Sequence, residues 1–168
     1  AMDRDKNWDR TKKAYDLLVL GKGFKAKNAY QAIDLAYKRG DKTDYYIKPT
    51  VIVENGKPIA TIDDNDGVIF FNYRTDRPRQ LTEAFIKRNF RKFKREKWPK
   101  TFFVCFTKYD ERFDCEYAFE EEKIKNCLGE VLSKHNLKQL RLAETEKYAH
   151  VTYFFNGQVE KPFKGEYR

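Results

Sequence analysis

Two apolar runs of strand length constrain this chain more than any other feature. Val68-Ile69-Phe70-Phe71 and Thr101-Phe102-Phe103-Val104-Cys105-Phe106 are continuously hydrophobic rather than alternating. Strands buried on both faces read this way, because helices cover each face of a parallel sheet. Between the runs, Arg79–Glu96 repeats apolar residues at Leu81, Phe85, Ile86, Phe90 and Phe93, the rhythm of an amphipathic helix. Strand, helix, strand is the repeating unit of an α/β sheet. The expectation is therefore a layered open α/β sheet with covering helices and buried central strands.

The flanking chain adds further elements. Trp8–Leu20 reads as a helix, with Ala14, Leu17 and Leu18 on one face and Gly21 and Gly23 to end it. Asn28–Arg39 reads as a second helix, capped by Asn28 and closed by Gly40. Thr50–Val53 and Ile59–Ile62 flank Asn55-Gly56, a dipeptide that accepts positive φ, and predict one antiparallel hairpin. Asp63-Asp64-Asn65-Asp66-Gly67 is acidic, but it lacks the spacing and closing glutamate of a calcium loop, so it reads as a turn. Farther on, Glu121–Lys134 reads as a helix and Gln139–Ala143 as a short strand. Ala149–Phe155 fits either state.

Length and charge bound the function. The 168 residues suit one domain, or one domain with part of another. No apolar run approaches the roughly 20 residues of a membrane span, and no leader pattern opens the chain. Three cysteines without a C-x-x-C pair indicate neither a disulfide framework nor a zinc site, and place the chain in a reducing cytoplasm. The net charge is +9, which suggests nucleic acid. Yet Ile86–Lys100 alone carries eight basic residues against Glu96, so the excess is one local feature. It reads as the solvent face of an amphipathic helix, and no helix-turn-helix or RNP-like pattern supports a nucleic-acid partner.

Three constellations carry chemistry. Met2-Asp3-Arg4-Asp5-Lys6-Asn7-Trp8-Asp9-Arg10 places Arg4 and Arg10 at a helix entrance. Asn72-Tyr73-Arg74-Thr75-Asp76-Arg77 follows a buried strand, where ligands of α/β sheets bind. Arg74 and Arg77 there form an anion clamp, because a guanidinium meets phosphate or carboxylate two bonds at a time, and Asp76 can hold one such fork in place. Glu144–His150, with Lys147 inside it, follows another predicted strand. His150 has no second ligand at metal spacing. The single serine, Ser133, lies within a predicted helix. There is no P-loop, no G-x-S-x-G and no G-x-G-x-x-G. The chain thus offers anion binders without an evident nucleophile, base or metal.

The segments AMDRDKNWDR, KPTVI, DGVIFFNYRTDR with RQLT, and NCLGEVLSKHNLKQLRLAETEKYAHVTYFFNG with PFKGE, taken in this order, resemble cofactor-independent (2,3-bisphosphoglycerate-independent) phosphoglycerate mutase. The resemblance covers essentially the whole chain. It implies an isomerase of glycolysis that interconverts 3-phosphoglycerate and 2-phosphoglycerate through a phosphoserine intermediate. It implies a transferase domain that orients the glycerate, and a phosphatase-like domain of the alkaline phosphatase type holding two manganese ions. By the same resemblance Arg4, Arg10, Arg74 and Arg77 bind substrate and Lys147 lies near the phosphoserine. The family's serine, metal ligands and base have no counterpart here. The chain is therefore expected to be an internal fragment, inactive alone and without bound metal. Residues 1–118 would be transferase domain, and 119–168 a linker and the beginning of the phosphatase-like domain. Its partners would be the two phosphoglycerates and the rest of the parent polypeptide. Asn7 stands where the family often has arginine.

Overall fold

The computed structural model describes residues 2–120 and 124–168. The chain divides into two compact units, Ala1–Glu120 and Glu121–Arg168, each mixed α/β.

In the first unit, α1 (Trp8–Leu20) ends at Gly21, whose φ of 63° returns the chain on itself. Strand β1 (Phe24–Ala26) follows, then α2 (Ala29–Lys38), where the Asn28 side chain accepts from Gln31 N. β1 pairs in parallel with β2 (Thr50–Glu54). Asn55 and Gly56, both at positive φ, turn β2 into the antiparallel β3 (Lys57–Pro58). The predicted hairpin is present, with a second strand shorter than Ile59–Ile62 and nearer the turn.

A second sheet runs β4 (Gly67–Phe70), β5 (Phe102–Thr107), β6 (Glu116–Phe119), all parallel. Sequence reading supplied β4 and β5 and missed β6. β4 is an edge strand rather than a central one. Its register sets Val68 beside Phe103 and Phe70 beside Cys105 on the covered face. Ile69, Phe71 and Phe102 face outward and stay exposed. Within this unit the described helices pack on one face: Tyr15 and Val19 of α1, with Leu81, Ala84 and Phe85 of α3 (Arg79–Ile86), form the core with Phe103 and Cys105.

The helix expected over Arg79–Glu96 stops at Ile86. Lys87 turns to extended backbone, and side chains from downstream take the last carbonyls. Arg95 Nη1 donates to Ala84 O at 2.8 Å, and Trp98 Nε1 to Phe85 O at 2.5 Å. The Arg95 guanidinium also lies over the Phe90 and Trp98 rings. Phe90 and Phe93 still reach the core, and Phe90 meets Trp8 edge-on. A helical apolar rhythm was therefore satisfied by irregular backbone. The basic run is not a helical face.

In the second unit, α4 (Leu128–Lys134) is shorter than the helix predicted over Glu121–Lys134: residues 121–123 lie outside the described ones, residues 124–127 are not helical, and Cys127 at the N-cap is extended. β7 (Gln139–Leu140) is shorter than Gln139–Ala143 and pairs in parallel with β8 (Glu166–Tyr167). α5 (Thr145–Ala149) runs on through a π-helical turn, His150–Phe154, so the ambiguous segment is helical. Thr152 Oγ1 donates to Tyr148 O at 2.7 Å within this widened turn. Asn156, fully buried, donates to Glu166 Oε2 at 2.7 Å and ties the turn to β8. Leu137, Leu140 and Leu142 of this unit remain exposed.

Candidate functional site

Parallel strands discharge their connections at one edge, so residues following β4 and β5 lie side by side. The segment 71–78 between β4 and α3 carries Arg74, Asp76 and Arg77. The N-terminal segment before α1 comes to the same edge.

Asp76 is the centre of the cluster. It accepts from Arg74 through a two-bond fork, Nε to Oδ1 at 2.5 Å and Nη2 to Oδ2 at 3.0 Å. It also accepts from Arg4 Nη1 at 2.7 Å. The Arg4 and Asp76 side chains are only 11% and 10% exposed, whereas the Lys22–Glu96 pair is 54% and 51% exposed. The exposed pair contributes little, because water and salt screen it. The shielded one fixes geometry. Burial pushes the Asp76 carboxyl up, but Arg74 and Arg4 outweigh it and hold the group down at about 2.

A second carboxylate organises the entrance to α1. Asp3 accepts from Asn7 N at 2.8 Å and Asn7 Nδ2 at 2.7 Å, and so stands at the helix N-terminus. Gln80, the second residue of α3, donates through Nε2 to Asp3 Oδ2 at 2.9 Å and to Thr11 Oγ1 at 2.8 Å. Its Oε1 accepts from Lys6 N at 2.8 Å. Burial works to raise the Asp3 carboxyl, and the bonds from Asn7 and Gln80 with the charge of Arg10 bring it below its ordinary value.

Each of the four arginines predicted as anion binders thus makes a contact with Asp76 or with the N-terminal segment. Arg4 and Arg74 share Asp76. Arg77 Nη1 donates to Met2 O at 2.8 Å. Arg10 stands 3.8 Å from Asp3 with its side chain 66% exposed, the most open of the cations in these ion pairs. Lys147 belongs to the second unit, on α5, where it pairs with Glu144 at 3.3 Å. Sequence reasoning named Asp76 as a possible anchor and missed Asp3 and Gln80 as supports. The signal for Gln80 was its place one turn from Arg77, at the start of a helix.

The cluster presents cations around a fixed carboxylate, and guanidinium forks of this kind are suited to holding an anion rather than attacking it. Among the described residues, no group of three or more His, Cys, Asp or Glu side chains could hold a metal ion. The described residues therefore do not fit a metal centre. No helix of the described residues is long and apolar enough to cross a membrane.

The chain matches the family model described as BPG-independent PGAM N-terminus over residues 1–111. It is 61% identical over 170 residues to 2,3-bisphosphoglycerate-independent phosphoglycerate mutase 1 of Methanosarcina acetivorans, covering 100% of this chain and 33% of that protein. It is 53% identical over 170 residues to the 2,3-bisphosphoglycerate-independent phosphoglycerate mutase of Acetivibrio thermocellus, again 100% of this chain and 33% of the relative. The fold superposes with a TM-score of 0.84 on a phosphoglycerate mutase of Leishmania mexicana crystallised at low cobalt concentration, at 31% identity over 99% of this chain and 32% of that one. The chain spans about a third of the length of the relatives it matches. With a match over residues 1–111 that takes in both arginine motifs, the chain belongs to the BPG-independent PGAM N-terminus family.

Proposed function

We propose that this chain supplies the substrate-orienting part of an isomerase that interconverts 3-phosphoglycerate and 2-phosphoglycerate. The observation that carries the reading is the meeting of Arg4 and Arg74 on Asp76, with Arg77 bonded to Met2 O and Arg10 beside Asp3 in the adjoining N-terminal segment. Moving a phosphoryl group between two neighbouring hydroxyls requires that the glycerate be held by its charges while the phosphate departs and returns. Guanidinium forks do this for a carboxylate and a phosphate dianion, and they act mostly by position and charge. Residues 1–118 take the transferase role in this reading. Residues 119–168 supply the linker and the beginning of the phosphatase-like part, where Lys147 stands near a phosphoserine. The two manganese ions and the serine belong to stretches of the parent polypeptide outside this sequence, and the setting is the cytoplasm.

The experiment is a thermal titration of the 168-residue chain with 3-phosphoglycerate. A ligand that binds only the folded state stabilises it by RT ln(1 + [L]/Kd), so tenfold excess over Kd raises the melting temperature by roughly 3–6 °C for a chain of this size. The shift should vanish in Arg74→Ala and in Arg77→Ala. No shift at millimolar ligand removes the reading.

A second reading, a stand-alone phosphoanion-binding module, is favoured by the arginine network being closed within the first unit. Both readings require binding. Turnover separates them once the remainder of the parent chain is supplied: activity restored by that addition supports the first, and binding without any restored turnover supports the second. The 168 residues alone should show no mutase turnover above a mock preparation.

A further inference from the structure

We infer that Tyr109 is the positioning residue of the arginine segment. It fixes residues 71–78 at both ends and so sets where Arg74 and Arg77 meet the anion. Tyr109 follows β5 by two residues and is 1% exposed. Its hydroxyl lies 2.5 Å from Phe70 O and 2.6 Å from Asn72 O, the last residue of β4 and the second residue beyond it. Its own carbonyl accepts from Arg79 Nε at 2.6 Å, at the first residue of α3. One side chain and one peptide group thus hold the start and the finish of the segment that carries Arg74, Asp76 and Arg77.

The parallel sheet explains why this residue is available. β4 and β5 end at the same edge, so the first turn after β5 lies against the exit from β4. The phenol ring meets Phe70 edge-on at 5.9 Å, which leaves the oxygen directed at the two carbonyls. Burial pushes the phenol up to about 12, so the hydroxyl keeps its proton and remains a donor at neutral pH. The single hydroxyl proton is shared between the Phe70 and Asn72 carbonyls, so removing it takes the common donor from both.

The inference rests on the reading above for the identity of the anion, and its test has one arm that does not. Tyr109→Phe removes the hydroxyl and keeps the ring. Amide hydrogen exchange over residues 71–77 should quicken about tenfold, the equivalent of one net hydrogen bond, while α1 amides hold their rates. Val19→Ala, a core substitution on α1, serves as the destabilised control and should leave 71–77 unchanged relative to the rest of the unit. At a temperature where both variants are folded, calorimetry should show the Kd for 3-phosphoglycerate raised about tenfold in Tyr109→Phe and nearly unchanged in the control. Inorganic phosphate, which needs no fixed spacing between two anionic groups, should be affected less. Unchanged exchange in Tyr109→Phe overturns the inference, as does an unchanged Kd where the wild type binds. If the wild type does not bind 3-phosphoglycerate, the functional reading fails while the exchange arm still decides the role of Tyr109.

Discussion

Arg4 and Asp76 are joined at 2.7 Å across 72 positions of sequence, and both side chains are shielded from water. This bond brings the two arginine motifs to one place. Asp76→Ala leaves two guanidinium groups crowded without their shared acceptor, and should cost about 1–3 kcal/mol in urea unfolding. It should also abolish the melting shift caused by 3-phosphoglycerate. Wild-type stability in Asp76→Ala would show that the bond fixes nothing.

The acid limb of stability follows from the same carboxylate. Asp76 is held at about 2 in the fold, against an ordinary value of 3.8. A depressed carboxylate contributes stability that is complete above its unfolded value and is lost as pH falls through its folded value. Wild-type urea midpoints should therefore drop between pH 4 and pH 2, and Asp76→Asn should flatten part of that drop. Asp110, also held near 2 by its bond from Arg112, keeps a residual slope in the variant. Parallel acid limbs for the two proteins would remove Asp76 as the cause.

Gln80→Ala should loosen the N-terminal segment before the rest of the unit. Its amide holds Asp3 and Thr11 and receives Lys6 N, so the change frees three contacts at once. Brief trypsin digestion should then cut after Arg4, Lys6 or Arg10 sooner than in wild type, with circular dichroism unchanged. Equal cutting rates would place the hold elsewhere.

Arg95 should matter for stability and not for nucleic acid. Its fork takes the carbonyls of Ala84 and Arg88 and lies on two aromatic rings. Arg95→Lys keeps the charge but not the fork, and should cost about 1–2 kcal/mol in urea unfolding. Retention on DNA or RNA should be weak, and no more sensitive to Arg95→Lys than to Lys92→Ala. A fully stable Arg95→Lys would mean the helix stop is set by other residues.

What was legible followed from local chemistry. The Asn55-Gly56 turn, the Asn28 cap and the strand runs all depend on near neighbours, and each is present. What was hidden depends on distant partners. The end of α3 is decided by Arg95 and Trp98, whose reach a helical rhythm cannot reveal. The exposure of Ile69 and Phe102 depends on which face of the sheet the helices cover, not on the run itself. β6 was missed because Glu116-Tyr117-Ala118-Phe119 is short and of mixed character, and its pairing with β5 makes it a strand. At the site, the arginines could be named from the sequence. Their supports could not, since Gln80 and Tyr109 are ordinary residues until the fold gives them partners.

The connection from β5 to β6 occupies only residues 108–115, while parallel neighbours usually need about a dozen residues and a helix to return. Tyr109 sits in its first turn. Added length has very different consequences at two addresses in this chain. At Asn55-Gly56 an insertion lengthens a hairpin tip, where nothing lies within 4 Å of a Cβ on Gly56. Between 108 and 115 the same insertion would move the phenol off Phe70 and Asn72, and with it the arginines. The first address therefore tolerates added length, while the second acts as a gauge for the arginine segment.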